Sequence, residues 1–238
     1  MVSATQEERT LEWAFLGCLP YAQADRLQSR IRKRLRSGAG EEALLLLEHP
    51  HVFTLGRNAD PSEVLVDEAW LEARNIEVVS SDRGGRVTYH GPGQLVGYPI
   101  VDLNPDRRDL RKYVHDLQAV LVGLLQDLGI ESEARRRSEE LGVWVGGRKI
   151  ASIGVHISRW ITTHGFALNV NPDLKYFSSI VPCGLHDVEM TSISEVIDVD
   201  YELDEIAALC ARHFANVFAR NPTQIPFEQL KTHWPIAL

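Results

Sequence analysis

Residues 83–94 of the chain read RGGRVTYHGPGQ, two glycine-rich turns on either side of a short β-prone run. Glycine allows the backbone to approach a ligand closely, so a ligand can be contacted at both ends of this run. The order of residues differs from that of a P-loop, because no Gly-Lys-Ser/Thr triplet follows, and from the dinucleotide fingerprint, because no helix opens after it. The segment therefore predicts strands over residues 86–90 and 94–103, and it argues against phosphate hydrolysis and nicotinamide binding.

On both sides of this segment, patterns typical of strands alternate with patterns typical of helices. Apolar residues at helical spacing predict helices after Pro20, over residues 110–128 and near the end of the chain, with Asp109 as the cap of the second. Residues 143–151 predict a hairpin around Gly146 and Gly147. Short apolar runs predict further strands at residues 11–18, 43–48, 52–56, 166–170 and 193–197. We expect an α/β (α+β) fold in a single domain over residues 1–238, in which residues 1–10 form a flexible N-terminal extension.

The three cysteines, Cys18, Cys183 and Cys210, are widely spaced and give neither a CxxC pair nor a disulfide framework, which favours a reducing compartment. The first ten residues lack the apolar region of a signal peptide, and no apolar stretch approaches the length that spans a bilayer. We therefore expect a cytoplasmic protein with no membrane partner. Cys210 lies on the apolar face of a predicted helix and Cys18 ends an apolar strand, so both are predicted to fill the core.

Cys183 has a different setting, because it lies between Pro182 and Gly184 and has little side chain around it to pack against. Proline fixes its own φ and favours an extended preceding residue, while glycine allows close approach of a ligand. The backbone N–H groups of Cys183 and Gly184 are available to donate hydrogen bonds to an anionic tetrahedral intermediate. The sequence thus offers Cys183 as a nucleophile, with a buried structural cysteine as the alternative.

The net charge of the chain is -8, which argues against a nucleic-acid partner because a phosphate backbone rewards excess Lys and Arg. Basic residues nevertheless cluster at positions 26–36, 107–112 and 135–137. Each cluster is either a solvated face or a docking site for an acidic partner.

Two further glycine-containing segments carry the remaining candidates for a ligand site: KIASIG at residues 149–154 and HGFALNVN at residues 164–171. Together with residues 83–94 and the Pro182–Gly184 turn, they resemble the lipoyl(octanoyl) transferase family of the biotin and lipoate ligase fold group. The resemblance extends over about residues 44–196. It implies a mixed central sheet with flanking helices and a smaller accompanying sheet.

The resemblance also implies an acyltransferase that moves an octanoyl group from octanoyl-acyl carrier protein to a lysine of lipoyl domains, those of 2-oxoacid dehydrogenase complexes and of the glycine cleavage H protein. It implies no cofactor and no metal. Cys183 would carry the acyl group as a thioester, and Lys149 would tune the acidity of its thiol. Because acyl carrier protein is acidic, a basic patch is expected to dock it, and we favour residues 135–137, which precede the hairpin of Lys149. Substrate binding is implied for Arg83, Gly84, Gly85, Arg86, Val87, Thr88, Tyr89, His90, Ser152, Ile153, Gly154, His164, Gly165 and Phe166.

The chemistry of such a transfer sets requirements on these residues. A thiolate is the nucleophile, and a neighbouring ammonium lowers the pKa of a thiol. Attack on a thioester gives another thioester of similar energy, so this step needs no ATP. The acceptor lysine is protonated at neutral pH and needs a base. Once Cys183 is acylated, Lys149 loses its anionic partner and can accept the proton, with His90 and His164 as competing candidates. The acyl chain needs an apolar slot, for which Val87, Ile153 and Phe166 are candidate walls.

Three alternatives remain open at this point. A zinc-dependent hydrolase would use Cys183 and His186 together with His90, His156 and His164. An ATP-dependent lipoate or biotin-protein ligase would use Lys149 on the same fold without requiring Cys183. A non-catalytic carrier-binding scaffold would form no acyl-enzyme. Arg83 would meet the phosphopantetheine of the carrier or serve as an ordinary turn residue.

Overall fold

The structure, a computed structural model, describes residues 9–137, 140–181, 188–226 and 229–234. Cys183, its neighbours Pro182 and Gly184, and His186 lie outside the described residues. The described strands are β1 (Thr10–Cys18), β2 (Glu42–Glu48), β3 (Val52–Leu55), β4 (Glu77–Ser80), β5 (Val87–His90), β6 (Gln94–Ile100), β7 (Glu133–Arg135), β8 (Gly142–Val145), β9 (Arg148–Ser158), β10 (Ile161–Asn169) and β11 (Asn221–Gln224).

Eight of these strands form one mixed sheet, in the order β11-β1-β2-β6-β10-β9-β8-β7. The pairs β11–β1 and β1–β2 are parallel, and the pairs from β2–β6 to β8–β7 are antiparallel. The smaller sheet has the order β4-β3-β5. This arrangement confirms the predicted fold class, a mixed central sheet with a smaller sheet beside it.

The described part of the chain has six α-helices, and the three longest cover the two faces of the large sheet. The six helices are α1 (Tyr21–Arg36), α2 (Glu68–Glu72), α3 (Leu110–Asp127), α4 (Ile193–Ile197), α5 (Leu203–Phe218) and α6 (Leu230–His233), and two 3₁₀ turns lie at Pro61–Glu63 and Leu174–Ser179. The helices α3 and α5 pack together on one face, and α1 packs on the other. Asp109 caps α3 as predicted, because its carboxylate accepts hydrogen bonds from the backbone of Arg111 and Lys112. No helix in the described part of the chain has the length and apolar character needed to cross a membrane.

Strand β2 explains why the core has two layers. Side chains alternate between the faces of a strand, so Leu44 and Leu46 pack under α3 and α5 while Leu45 and Leu47 pack under α1. All four are fully buried. A continuous apolar run is typical of a strand that is covered on both faces, and this run lies in the middle of the sheet.

The prediction of a strand at residues 193–197 was wrong, because these residues form the helix α4. Ser192 is the N-cap, and its hydroxyl accepts a hydrogen bond from the backbone N–H of Glu195 at 3.2 Å. The sequence Ser-x-x-Glu is a capping-box pattern, which outweighs the strand preference of a short isoleucine-rich run. Asp198 ends the helix in the left-handed region, with φ of +55°.

The two cysteines inside the described residues differ from each other. Cys210 is fully buried on α5, as predicted, and burial raises the pKa of its thiol to about 12. Cys18 is exposed, so the prediction of a core residue was wrong. Gly17 has a φ of +64° and the β1–β2 register shifts between Phe15 and Cys18, which interrupts the alternation that would have turned Cys18 inward.

The start of the fold lies inside the predicted N-terminal extension. Strand β1 begins at Thr10, and Arg9 forms an ion pair with the buried Glu42. The same carboxylate binds Arg220, which follows α5, at 2.6 Å. Thr10 is therefore part of the sheet and Arg9 is bound beside it, while residues 1–8 lie outside the described range.

Candidate active site

One cavity gathers most of the residues that the sequence analysis selected. Its walls come from β5 of the smaller sheet, from β6, β9 and β10 of the larger sheet, and from the start of α1. Of the fifteen selected residues inside the described range, thirteen line it: Arg83, Gly85, Arg86, Val87, Thr88, His90, Lys149, Ser152, Ile153, Gly154, His164, Gly165 and Phe166. Segments that are far apart in the sequence thus meet at one site.

Two selected residues, Gly84 and Tyr89, do not line this cavity. The side chain of Tyr89 is fully buried in the core of the smaller sheet, stacked on Tyr176 at 5.1 Å, and its hydroxyl bonds to His51 at 2.8 Å. Alternation along β5 directs Tyr89 away from the side to which Thr88 and His90 belong. Gly84 donates its backbone N–H to the carbonyl of Val155 at 2.9 Å, so it joins residues 83–94 to β9.

Lys149 is 1% exposed, which is unusual for a lysine. Its Nζ lies 5.6 Å from the ring centroid of Trp144, and its side chain lies against Gly142. A methyl group at Gly142 would come within 2.7 Å of the Lys149 Cε atom, so glycine at this position leaves room for the lysine side chain. The site therefore holds an amine that is shielded from bulk water.

The residues that flank the undescribed stretch 182–187 are anchored at this cavity. On one side, the N–H of Val181 donates to the carbonyl of Glu63 at 2.8 Å, and the carboxylate of Glu63 pairs with Arg86. On the other side, the backbone N–H of Lys149 donates to the carbonyl of Glu189 at 2.8 Å, and the backbone carbonyl of Lys149 accepts from the N–H of Thr191 at 3.0 Å. The described residues that precede and follow Cys183 in the sequence are therefore held beside cavity residues.

The two arginines of the first segment have different positions. Arg83 is buried and donates to the Oγ1 and the carbonyl of Thr54 and to the carbonyl of Gly84, at 2.6 to 3.1 Å. It therefore supports the wall of the cavity through β3. The side chain of Arg86 is 44% exposed and holds the carboxylate of Glu63. Arg86 is the better placed of the two to meet an anionic group that arrives from solvent.

His90 is buried, and its Nδ1 lies 2.7 Å from the Oε1 of Gln94. Burial, followed by the nearby charges of His49 and Arg83, holds the pKa of His90 well below its usual range. The ring is therefore neutral at physiological pH. A neutral ring with so low a pKa can accept a hydrogen bond, but it is a poor base for an ammonium group.

His164 adopts a left-handed backbone conformation with φ of +55°, and its Nε2 lies 2.6 Å from a carboxylate oxygen of Asp82. Its backbone N–H donates to the side chain of Gln28 on α1 at 2.7 Å. Burial lowers the pKa of His164, although the hydrogen bond and the charge of Asp82 oppose this shift. The ring is thus committed to Asp82, so it is a weaker candidate for the base than Lys149.

Within the described residues, the group that could hold a metal ion shares only His164 with the zinc set considered from the sequence. Among the described residues, Asp25, Asp82 and His164 bring three possible ligand atoms within 4.8 Å of one another. His90 is bonded to Gln94 instead. Cys183 and His186, the paired ligands of the zinc alternative, lie outside the described residues.

The cavity also has lining residues that sequence reasoning missed, namely Tyr21, Val96, Tyr98 and Ala167. Tyr21 is brought in by α1, whose contact with the strands has no local sequence signal. Val96 and Tyr98 are two residues apart on β6, so their side chains lie on the same face of the strand. This spacing within residues 94–103 was the available sequence signal for their shared position. Several of the added walls are apolar, as a fatty acyl chain requires.

Comparison with known proteins defines the class first. Residues 20–215 match the family model described as "Lipoyl protein ligase A/B catalytic domain". A bipartite lipoate protein ligase from Thermoplasma acidophilum, described with its E2 lipoyl domain, has the same fold, with a TM-score of 0.71 at 17% identity over 94% of this chain and 91% of that one.

Curated relatives then define the activity. The chain is 50% identical to an octanoyltransferase of Solibacter usitatus, over 85% of this chain and 90% of the relative, and 47% identical to an octanoyltransferase of Gloeobacter violaceus, over 85% and 87%. The chain therefore belongs to the octanoyltransferases of the lipoyl protein ligase A/B catalytic-domain family. It is an acyltransferase that transfers an octanoyl group in protein lipoylation, and its family acts on lipoyl domains.

Proposed function

We propose that Cys183 accepts the octanoyl group from octanoyl-acyl carrier protein as a thioester and that a lysine of a lipoyl domain then takes it. One observation carries this assignment: the residues on the two sides of residues 182–187 are anchored at the cavity in which Lys149 is buried. Glu189 and Thr191 bond to Lys149, and Val181 bonds to Glu63, which pairs with the cavity residue Arg86. Mass spectrometry of the enzyme after mixing with octanoyl-acyl carrier protein tests it, because the thioester adds the mass of one octanoyl group.

In the first step, the thiolate of Cys183 attacks the carbonyl carbon of the donor thioester. A new C–S bond forms, the bond to the carrier sulfur breaks, and the carrier leaves as a thiol after taking the proton of the Lys149 ammonium, which becomes a neutral amine. The ammonium of Lys149 stabilises the thiolate before attack, and this stabilisation is strong because the amine is shielded from water. The donor and the product are both thioesters, so no ATP is consumed.

In the second step, the amine of the acceptor lysine attacks the acyl-cysteine. An amide C–N bond forms, the C–S bond breaks, and the thiolate of Cys183 is regenerated. Acylation has already removed the negative charge next to Lys149, so this residue takes the proton that the acceptor nitrogen loses. Lys149 thus serves as the counterion in one step and as the base in the next.

The second candidate function is an ATP-dependent lipoate or biotin-protein ligase on the same fold. The ligase structure described above shares 17% identity with the chain, and a similarity at this level shows a common fold but not a common activity. The 50% identity to an octanoyltransferase favours transfer without ATP.

Acceptors of this transfer are the lipoyl domains of 2-oxoacid dehydrogenase complexes and the glycine cleavage H protein. The transfer takes place in the reducing cytoplasm, where a thiolate nucleophile persists.

Docking of the acidic carrier is best supported at α1. This helix carries Arg26, Arg30, Arg32, Lys33, Arg34 and Arg36 against a single acidic residue, Asp25. Arg26, Lys33 and Arg36 are exposed and have no ion pair with a carboxylate in the described part of the chain. We call these three residues, with Arg30, the basic face of α1.

The other two basic clusters are partly neutralised within the protein. Arg107 and Lys112 both pair with Asp116, and Arg135 pairs with two glutamates. The helix α1 itself adjoins the cavity through its buried side, because Tyr21 lines the cavity and Gln28 binds the backbone of His164, while its basic face is turned to solvent. These contacts favour α1 over residues 135–137 as the docking site for the carrier.

Reversing two charges on the basic face of α1, as Arg26→Glu with Lys33→Glu, is expected to raise KM for octanoyl-acyl carrier protein by about tenfold or more and to flatten its dependence on salt. The rate with octanoyl-pantetheine, a small donor without the protein carrier, is expected to stay at the wild-type value. Steady-state kinetics at several salt concentrations measure both. Arg111→Glu, a single charge reversal at an exposed position of α3 on the other face of the sheet, is the control, to be compared with Arg26→Glu alone. An unchanged KM in the double variant would place the carrier elsewhere.

The end of the acyl slot can be tested at Gly97, which lies under the ring of Phe166. A methyl group at this position would collide with that ring, which is itself packed in the wall of the cavity. Gly97→Ala is therefore expected to push the ring into the cavity and to lower the ratio of kcat/KM for octanoyl over butyryl donors by about tenfold. The double variant Gly97→Ala with Phe166→Leu should restore the preference. A normal ratio in a stably folded Gly97→Ala protein would show that the chain binds away from Phe166.

A further inference from the structure

Gln94 and Asn169 form a buried pair of amide side chains between the cavity and the backbone next to Lys149. They face each other directly across β6 and β10, and each is 1% exposed. Buried amides in apolar strands must satisfy their hydrogen bonds within the protein. This pair does so by connecting His90 at one end to Thr191 at the other.

The direction of every hydrogen bond in this connection is fixed by a backbone carbonyl. The carbonyl oxygen of Thr191 can only accept, so Asn169 must turn its Nδ2 toward it, at 2.9 Å. The Oδ1 of Asn169 then accepts from the Nε2 of Gln94, also at 2.9 Å. The remaining atom of Gln94, its Oε1, must accept from the Nδ1 of His90, at 2.7 Å. A second hydrogen bond from the same Nε2, to the carbonyl of Tyr89 at 3.3 Å, requires the same orientation of the Gln94 amide.

The tautomer of His90 follows from these directions. Its Nδ1 carries the hydrogen, and because the ring is neutral, its Nε2 carries a lone pair. Within the described part of the chain this Nε2 has no hydrogen-bond partner, although the residue lines the cavity together with Lys149. The cavity therefore contains a fixed hydrogen-bond acceptor of unchanging charge.

We propose that Gln94 and Asn169 are positioning residues that hold His90 in the tautomer whose Nε2 accepts a hydrogen bond from the amine of the acceptor lysine. This proposal rests on the proposed function, since it concerns the second step of the transfer. His90 orients the nitrogen by accepting one N–H, so that the lone pair of the nitrogen points at the acyl carbonyl. The proton that leaves the nitrogen goes to Lys149, and His90 stays neutral throughout.

The same connection couples the two groups that the second step needs. The carbonyl of Thr191 binds Asn169, and the N–H of Thr191 binds the carbonyl of Lys149 at 3.0 Å. Hydrogen bonds thereby fix the backbone of Lys149, the base, relative to the ring of His90, which orients the nucleophile. Loss of a single amide is expected to affect the second step more than the first.

Gln94→Glu is the sharpest test, because it keeps the shape of the side chain and its acceptor toward His90 while adding a negative charge. A carboxylate at this position favours the protonated imidazole, so Nε2 gains a hydrogen and can no longer accept. Nitrogen-15 NMR of labelled histidine, with the His90 signals assigned by comparison with His90→Gln, is expected to show Nδ1 protonated and Nε2 bare in the wild type, and both protonated in the variant. Single-turnover kinetics should show transfer from the acyl-enzyme to a lipoyl domain slowed by about 10- to 100-fold, with acyl-enzyme formation changed less than about threefold.

Two controls separate this role from a structural one. Thr162 lies on β10, the strand that carries Asn169, and Thr162→Val removes its buried hydrogen bonds to Pro99 and Val101. This variant should leave both the histidine spectrum and the second step at wild-type values. Gln94→Met, which keeps the length of the side chain without its hydrogen bonds, serves if the acid fails to fold, and it should slow the second step alone. Deacylation at the wild-type rate in a folded Gln94 variant, or a wild-type ring protonated on Nε2, would overturn the proposal. A wild-type enzyme that forms no acyl-enzyme would instead refute the proposed function, and the spectrum would still report the tautomer.

Discussion

Cys183→Ser is expected to form no thioester with octanoyl-acyl carrier protein and to transfer octanoyl groups at least about 10³-fold more slowly than the wild type. A serine hydroxyl is a far weaker acid than a thiol, so the ammonium of Lys149 cannot convert it to a useful nucleophile. Intact mass spectrometry in buffer without ATP measures the effect. The wild type should gain the mass of one octanoyl group, and neutral hydroxylamine should remove it, as is typical of a thioester.

Cys18→Ser is the matched control, because Cys18 is exposed and belongs to none of the walls of the cavity. It should gain and lose the octanoyl group as the wild type does. Cys210 is fully buried on the face of α5 that packs in the protein core, and it is not expected to be acylated in any variant. Transfer by Cys183→Ser at the wild-type rate, with ATP as a required substrate, would identify the enzyme as a ligase.

Lys149→Met is expected to lower the rates of both steps. The rate of the second should fall by about 10²- to 10⁴-fold, the usual contribution of a general base. The first step loses the charge that favours the thiolate, and the second loses the proton acceptor. Lys149→Arg separates the two roles, because arginine keeps the positive charge but does not give up its proton. This variant should form the acyl-enzyme and then fail to pass the octanoyl group to a lipoyl domain. Rapid mixing of each variant with the donor, and then of the isolated acyl-enzyme with the acceptor, measures the steps one at a time.

The larger arginine side chain must fit between Trp144 and Gly142, so the thermal midpoint of Lys149→Arg has to be measured beside its kinetics. Lys112→Arg is the control, since Lys112 is exposed on α3 and pairs with Asp116. It should leave both steps unchanged. Deacylation of a folded Lys149→Arg protein at the wild-type rate would remove Lys149 as the base and leave His164 as the candidate to test next.

Much of this site could be predicted from the sequence because its residues occur in short segments that carry their own signals. Glycines mark residues 83–94, 149–154 and 164–171, and these segments do converge on the cavity. Alternation and helical spacing likewise predicted most of the strands and the three long helices, with errors of a few residues at their ends. These signals are local, and so are the structures they specify.

The rest depends on which segments become neighbours, and the sequence does not contain that information in any one place. Gln94 and Asn169 lie within two of the selected segments, yet their pairing is set by the register of β6 against β10. Tyr89 was selected with its neighbours, but alternation directs it into the core of the smaller sheet. Cys18 shows the same limit, because a single shift of register beside Gly17 changed its exposure.

The backbone of Lys149 is held on both sides, because its N–H donates to Glu189 and its carbonyl accepts from Thr191. Its side chain is buried against Trp144 and Gly142. A group that is fixed in place before the substrate arrives does not have to be reorganised during the reaction. The conformational entropy of this amine is therefore lost when the protein folds and not at each turnover.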